Sequence, residues 1–141
     1  MLTQRQKLND TYGKVGIETG VMNAEPYKLI LMLIDGAILK ISTAAHSIGQ
    51  GDVSEKGMAI TKAIAIISEG LQASLDMQAG GDIGERLNAL YDYMCKRLLE
   101  ANLRNDIAAL EEVTRLLNEL RSAWEEIGGD PAVVSGNEAV A

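Results

Sequence analysis

The chain of 141 residues carries a formal net charge of −7, with 20 acidic against 13 basic side chains. This balance argues against binding to nucleic acid or to anionic membrane surfaces, because affinity for both comes mainly from lysine and arginine. A single cysteine excludes an internal disulfide, and the absence of phenylalanine leaves a core of aliphatic side chains, which suits helices.

The length fits one domain with a core of its own. The longest uninterrupted apolar run, residues 29–34, is far shorter than the ~18 residues of a spanning helix, so we expect no membrane insertion. The first residues lack the apolar stretch of a signal peptide. The sequence therefore predicts a cytoplasmic protein.

The predicted elements begin with a polar N-terminal segment, residues 1–24, which we expect to be partly mobile with a short helix near residues 2–12. The first bundle helix is predicted to start with Glu25 as its cap and Pro26 at its first position, where proline loses no hydrogen bond. Its apolar positions recur at spacings of four and three, as on one helical face: Ile30, Ile34, Ala37, Ile41, Ala44 and Ile48. The motif GQGD, residues 49–52, ends this helix.

Three further helices follow the same pattern. The second is capped by Asp52 with Glu55 three residues later, and it is predicted to end at AGGD, residues 79–82. The third is capped by Asp82, and Asn105 is predicted to cap the fourth. The apolar positions are Ile60, Ile64, Ile67 and Leu71 in the second helix; Ile83, Leu87, Leu90, Met94 and Leu98 in the third; and Leu110, Val113, Leu117, Leu120, Trp124 and Ile127 in the fourth.

The connections between these helices are short, so consecutive helices should run antiparallel. The predicted fold is all-α, an up-down-up-down four-helix bundle over residues 25–127. Residues 128–141 combine glycines, a proline and small side chains, and they are predicted to form a mobile tail.

The sequence offers little for catalysis. His46 and Cys95 lie on different helices, and neither has a neighbour that would complete a metal site or activate a nucleophile. A solvent-exposed histidine and a small half-buried cysteine are the simpler interpretations. We predict no enzymatic activity, no metal and no cofactor.

Two apolar surfaces are candidates for binding a partner. The second helix carries a seam of mainly small residues beside its core face: Ala59, Ala63, Ile66, Gly70, Ala73 and Met77. This seam would serve as a groove for a partner helix, or a neighbouring helix of the bundle would fill it. Met32 and Leu39 face away from the core positions of the first helix, and Tyr91 and Tyr93 flank those of the third, so these four are further candidates.

Three stretches, EPYKLILMLIDGAI, SLDMQAGGDIGERLNALYDYMCKRLLEANLRND and LEEVTRLLNELRSAW, closely resemble the FliS family of flagellar export chaperones in order and spacing. The resemblance runs from about Tyr12 to Trp124. The chain departs from the family pattern at Ile34, where a tyrosine is usual, and at Glu25, where serine or aspartate is usual.

This resemblance implies a cytoplasmic chaperone that binds the disordered C-terminal segment of flagellin, prevents its premature polymerisation and presents it to the export gate. It also implies that the N-terminal segment folds over the binding surface, and that Tyr12 takes part in recognition of a gate component. Two alternatives remain open: a self-associating structural bundle, whose apolar surfaces form a homodimer, and a cofactor-binding bundle.

Overall fold

The computed structural model describes residues 26–75 and 77–128, with the backbone alone for residues 77–80. The predicted N-terminal segment with Glu25, and the tail beyond Gly128, lie outside the described residues. The helices are α1 (Pro26–Gln50), α2 (Val53–Ala65), α3 (Met77–Arg104) and α4 (Ile107–Gly128), and a π-helical segment, Ile66–Gln72, continues α2. The described residues contain no strand, and the predicted all-α four-helix bundle is confirmed.

The core follows the predicted apolar positions over most of their length. In α1 and α4 the central side chains are fully buried, among them Ile34, Ile41 and Leu117. The prediction is wrong at the outer ends of the third and fourth sets, where Ile83 is 69% and Ile127 43% exposed. Ile83 follows Gly81, whose φ of 53° and ψ of −133° interrupt α3, so the regular helical face begins only after it.

The loop between α1 and α2 has two residues and caps both helices. Gly51 has a φ of 72°, a left-handed conformation that glycine adopts without strain. The amide of Asp52 then donates to the carbonyl of Ser47 over 2.9 Å, which closes the end of α1. The Asp52 carboxylate accepts from the amide of Glu55 over 3.0 Å, as predicted for the start of α2.

The loop between α3 and α4 repeats this design one residue away from the predicted position. Asn105 was expected to cap α4, but it has a φ of 53° and instead terminates α3. The cap of α4 is Asp106, whose carboxylate accepts from the amide of Ala109 over 3.2 Å. Asparagine tolerates the left-handed conformation better than most residues, which explains why Asn105 takes the position that Gly51 takes in the first loop.

The second predicted helix ends earlier than the sequence suggested. Its last turns form the π-helical segment, where the amide of Ala73 reaches back five residues to the carbonyl of Ser68 over 3.1 Å. Residues 73–75 leave the helix, and α3 begins at Met77 rather than after the glycines. At Gly70 a β-carbon would lie 3.1 Å from a methyl group of Leu33, so a residue with a side chain would require the Leu33 side chain to shift by a few tenths of an ångström.

Each helix packs against two neighbours: α1 and α3 both lie beside α2 and α4, and the described residues show no comparable packing between diagonal pairs. Gln72, at the end of the π-helical segment, donates to Asn88 and Asp92 in the middle of α3. Arg121, late in α4, forms an ion pair with Asp35 in the first half of α1. These pairings have the sense expected of antiparallel neighbours.

Among the described helices, α1 alone is long and apolar enough to cross a membrane, with a mean hydropathy of 1.6 in its most apolar window. Its apolar residues pack on α2 and α4. A core helix of a soluble bundle commonly passes this test, so the observation is weak evidence for a membrane span.

Lys56 is the one charged residue among the buried side chains of the described chain, with 7% of its surface exposed. Its ammonium group donates to the carbonyl oxygen of Asn102 over 2.9 Å and to the side-chain oxygen of Asn105 over 2.7 Å. It therefore joins the start of α2 to the end of α3, where the helix dipole favours a positive charge.

Replacing Lys56 with methionine should lower the free energy of unfolding by about 1–3 kcal/mol, because hydrogen bonds from a charged donor to two oxygens are lost. Urea denaturation measures the change. The matched control is Lys62→Met, an exposed lysine on the same helix, which should shift stability by less than ~0.5 kcal/mol. Equal stability of the two variants would show that the Lys56 contacts contribute nothing.

Candidate functional site

A groove with a cavity volume of about 580 Å³ lies between α1 and α4. Most of its surface is apolar. We call it the α1–α4 groove. Its lining residues are Ile41, Ser42 and Ala45 from α1, and Leu110, Glu111, Thr114, Arg115, Asn118, Glu119 and Ser122 from α4.

The groove exists because small side chains meet along this boundary. Ser42 and Ala45 on α1 face Thr114 and Ser122 on α4, and none of them is long enough to fill the space between the helices. The fully buried Leu110 closes the floor. The result is an open channel along two parallel walls, a shape that accepts an extended or helical peptide.

Aromatic packing closes the boundary between α1 and α4 at one end. The ring of Tyr27 stacks on Trp124 with centroids 6.0 Å apart and an angle of 20° between the planes. The indole N–H of Trp124 donates to the carbonyl oxygen of Tyr27 over 3.0 Å. Gly128 lies so close to the Tyr27 ring that a β-carbon there would clash with it. We call these three residues the aromatic corner.

Charged residues mark the outer wall of the groove. Glu111, Arg115 and Glu119 follow one another at intervals of one helical turn along α4, so a positive charge lies between two negative ones. No ion pair of Arg115 is found among the described residues. A peptide with an acidic side chain at this level would find an available cation.

Met32 and Leu39 are both exposed, at 38% and 63% of their surface, as the sequence predicted. Leu39 lies one helical turn before Ser42, but it is not among the residues that line the α1–α4 groove. Met32 lies two turns further toward the aromatic corner. The two residues are exposed apolar side chains of α1 outside the groove.

The seam predicted on the second helix lies largely inside the bundle. Ala59, Ala63, Ile66 and Gly70 are buried, and Gly70 touches Leu33 of α1. This geometry agrees with the alternative that a neighbouring helix fills the seam. Ala73 is half-buried in the turn after the π-helical segment, and the side chain of Met77 lies outside the described residues.

The two tyrosines of α3 occupy different environments. Tyr91 is buried, whereas Tyr93 is exposed and its hydroxyl donates to the carboxylate of Glu112 over 2.7 Å. Arg97 donates to the same carboxylate over 2.7 Å, so α3 and α4 are bridged. Both hydrogen bonds stabilise the carboxylate and lower the pKa of Glu112, whereas donating its proton to that carboxylate stabilises the neutral phenol and raises the pKa of Tyr93. Tyr12 lies outside the described residues.

Sequence reasoning missed a second exposed apolar area. Leu99 and Leu103 of α3 are exposed, the latter at 84%, and so are Val53 and Met58 of α2. Val53 and Met58 border a shallow depression of about 430 Å³ at Gly57. The spacing of four residues between Leu99 and Leu103, away from the core positions, was the available signal.

The described residues place no three His, Cys, Asp or Glu side chains together in a way that would hold a metal ion. His46 is exposed on α1. Cys95 is half-buried, and burial together with the nearby charge of Asp92 raises the pKa of its thiol to about 11. A thiol with so high a pKa is a poor nucleophile at neutral pH.

Comparison with known proteins gives consistent results. The family described as "Flagellar protein FliS" matches residues 8–131. A protein of Salmonella typhimurium named flagellar secretion chaperone FliS is 51% identical over 116 residues, which are 82% of this chain and 86% of that protein. The proteins of the same name from Escherichia coli and Bacillus subtilis are 38% and 33% identical, over 91% and 77% of this chain and 94% and 80% of their own lengths.

The environment of Cys95 predicts slow alkylation. With its pKa near 11 rather than the usual ~8.5, the thiolate fraction at pH 8 falls by roughly two orders of magnitude. Iodoacetamide should therefore label the folded protein about 100-fold more slowly than the same protein in urea, with mass spectrometry as the readout. Similar rates in both states would contradict the burial of the thiol.

Proposed function

The chain belongs to the FliS family, whose members compared above are named flagellar secretion chaperones, and we propose that it binds the disordered C-terminal segment of flagellin before export. Binding would keep this segment from polymerising in the cytoplasm. The bound client would then be presented to a component of the export gate, with Tyr12 in the recognition. A chaperone of this kind works by binding alone and needs no catalytic group or cofactor.

The α1–α4 groove is the observation that carries this proposal. It is open along its length, mostly apolar and lined by small side chains, so the backbone of a client helix can approach closely. Outside the groove, Leu39 of α1 offers an exposed anchor for an apolar side chain of the client. The wall with Glu111, Arg115 and Glu119 supplies charges that fix the register of the client.

A long unfolded segment needs more than one contact area. We place further contacts at Met32, which is exposed on α1, and at Tyr93. Leu99 and Leu103 are another exposed pair, and the client would reach them by passing around the bundle. Exposed apolar residues on separate surfaces support a client that wraps around the chaperone rather than one that docks at a single point.

The seam on the second helix has a smaller part in this proposal than the sequence alone suggested. Ala59, Ala63, Ile66 and Gly70 are buried, so they would contact a client only if the bundle opened around them. Ala73 is the member of the seam that remains accessible, and Tyr91 is as buried as the rest. We therefore assign the client to surfaces that are open in the folded bundle.

A self-associating bundle is the second candidate function. The observation in its favour is the pair Val53 and Met58, both exposed beside the depression at Gly57, since large exposed apolar residues often mark contacts between copies. Size-exclusion chromatography with and without a peptide from the flagellin C-terminal segment separates the two functions. A dimer that ignores the peptide would favour self-association.

The variant Thr114→Arg tests the α1–α4 groove. A long side chain at this position should fill the channel while its charge still reaches water, so the bundle should melt normally. Affinity for the flagellin C-terminal peptide, measured by calorimetry, should fall at least tenfold, which corresponds to ~1.4 kcal/mol.

The matched control is Thr61→Arg, the same exchange at an exposed position of α2 outside the α1–α4 groove. It should leave the peptide affinity within a factor of about two. Normal binding by Thr114→Arg would refute the groove assignment. Loss of binding by Thr61→Arg alone would move the client to the surface around Met58.

A further inference from the structure

We propose that the π-helical segment, Ile66–Gln72, is a latch between α2 and α3. The segment turns Gln72 toward α3, and the hydrogen bonds of Gln72 in turn hold the segment in its π-helical form. Without these bonds the segment would return to an ordinary α-helix and release α3 at this end of the boundary. The latch goes beyond the proposed function, because it is a property of the folded bundle with or without a client.

The segment holds one residue more than a regular helix would. It continues α2 without a break, because Ala65 and Ile66 on either side of the junction both have α-helical backbone angles. At its end the amide of Ala73 donates to the carbonyl of Ser68, five residues back, whereas a regular α-helix bonds four residues back. Each residue turns an α-helix by ~100°, so the extra residue changes the direction of the side chains that follow it.

The apolar residues of the segment do not require the π-helical form. Ile66, Ile67, Gly70 and Leu71 are all buried. On a regular α-helix the same four residues would lie within a face of about 140°, which suits a core-facing helix equally well. Burial of the core therefore leaves two forms of the segment available, and another contact must select between them.

Gln72 makes this selection. On a regular helix its side chain would lie about 140° from that of the fully buried Ile67, and the extra residue reduces this angle to about 40°. The side-chain amide nitrogen then reaches Asn88 Oδ1 over 2.9 Å and Asp92 Oδ1 over 2.7 Å, so both of its N–H groups are used. These bonds exist only while the segment is π-helical, so they stabilise that form.

Gly70 permits the same form. A β-carbon at this position would lie 3.1 Å from a methyl group of Leu33 of α1, a tight contact that glycine avoids. The segment therefore packs closely against α1, while Gln72 binds α3. The latch joins three helices at the end of the bundle opposite Lys56.

The latch would regulate access to the seam on the second helix, and this consequence rests on the proposed function. Ile66 and Gly70 belong to the seam and are buried while the latch is closed. Release turns the end of the segment and removes the bonds to α3, so a client helix gains a path to these residues. The fraction of released molecules then limits the apparent affinity of this part of the client.

Deleting Ser68 tests the extra residue. The shortened segment would be a regular α-helix in which Gln72 still faces α3, so the protein should fold with a urea midpoint within ~0.5 M of the wild type. The matched control deletes Lys96, an exposed residue of α3. That deletion turns the buried Leu98 and Ala101 away from the core and should lower the midpoint by more than ~1 M or prevent folding. Equal losses in the two variants would overturn the proposal, because the segment would then hold no surplus residue.

The scalar coupling across the hydrogen bond of Ala73 tests the role of Gln72. This NMR coupling identifies the acceptor carbonyl, which is Ser68 in the π-helical form and Glu69 in a regular α-helix. Gln72→Glu has no N–H to donate and places a carboxylate against that of Asp92, so the acceptor should become Glu69. Adding Asp92→Asn supplies a donor on α3 and should return the coupling to Ser68.

Gln50→Glu, the same exchange at the exposed end of α1, is the control and should leave the acceptor of Ala73 unchanged. A coupling that stays at Ser68 in Gln72→Glu would overturn the latch, because the π-helical form would then not depend on Gln72.

Affinity for the flagellin C-terminal peptide separates the latch from the proposed function. Because release opens the seam, Gln72→Glu should bind the peptide about threefold more tightly than the Gln50→Glu control. A changed acceptor together with unchanged affinity supports the latch and refutes its part in client access. A peptide that binds neither variant nor the wild type refutes the proposed function, while the coupling still decides whether the latch exists.

Discussion

A single buried ammonium group joins the two helical hairpins of this bundle. Lys56 lies at the start of α2, in the first hairpin, and its two hydrogen bonds reach the end of α3 and the loop of the second. Removing a charge from water is costly unless oxygen acceptors replace the lost solvent. Two oxygens and the negative end of the α3 dipole meet this requirement, so the positions of both loops depend on one another.

The end of the bundle that contains Lys56 is more regular than the opposite end. At the Lys56 end, two short loops with matching caps hold all four helices at fixed distances. At the opposite end the chain is less regular: α2 widens into the π-helical segment, Gly81 interrupts α3, and the aromatic corner holds α1 to α4. The groove opens between these ends, where small side chains such as Ser42, Ala45 and Thr114 leave space between α1 and α4. A binding surface between two anchored ends can accept a partner without disturbing the core.

The spacing of apolar residues in the sequence predicted the helices and most of the core. It did not predict structural features that leave this spacing unchanged. Four helices and most core positions follow from the recurrence of aliphatic residues at intervals of three and four residues. The π-helical segment depends on hydrogen bonds that reach back five residues, and Ile67 and Leu71 fit an ordinary helix equally well. Ala59 and Ala63 suit a partner helix and a bundle neighbour alike in sequence, and only their burial in the folded bundle favours the neighbour. Lys56 gave no signal, because a lysine in a first turn normally faces water.

The aromatic corner brings the two ends of the described chain within contact distance of each other. The bundle is therefore nearly a closed ring, in which a short linker from Gly128 to Pro26 would span little distance and cost little loop entropy. Cutting such a ring at Gly51, an exposed turn position, would give a circular permutant with the same four helices in the order α2, α3, α4, α1. The order of the four helices along the chain can therefore change, whereas the way in which they pack against one another stays the same.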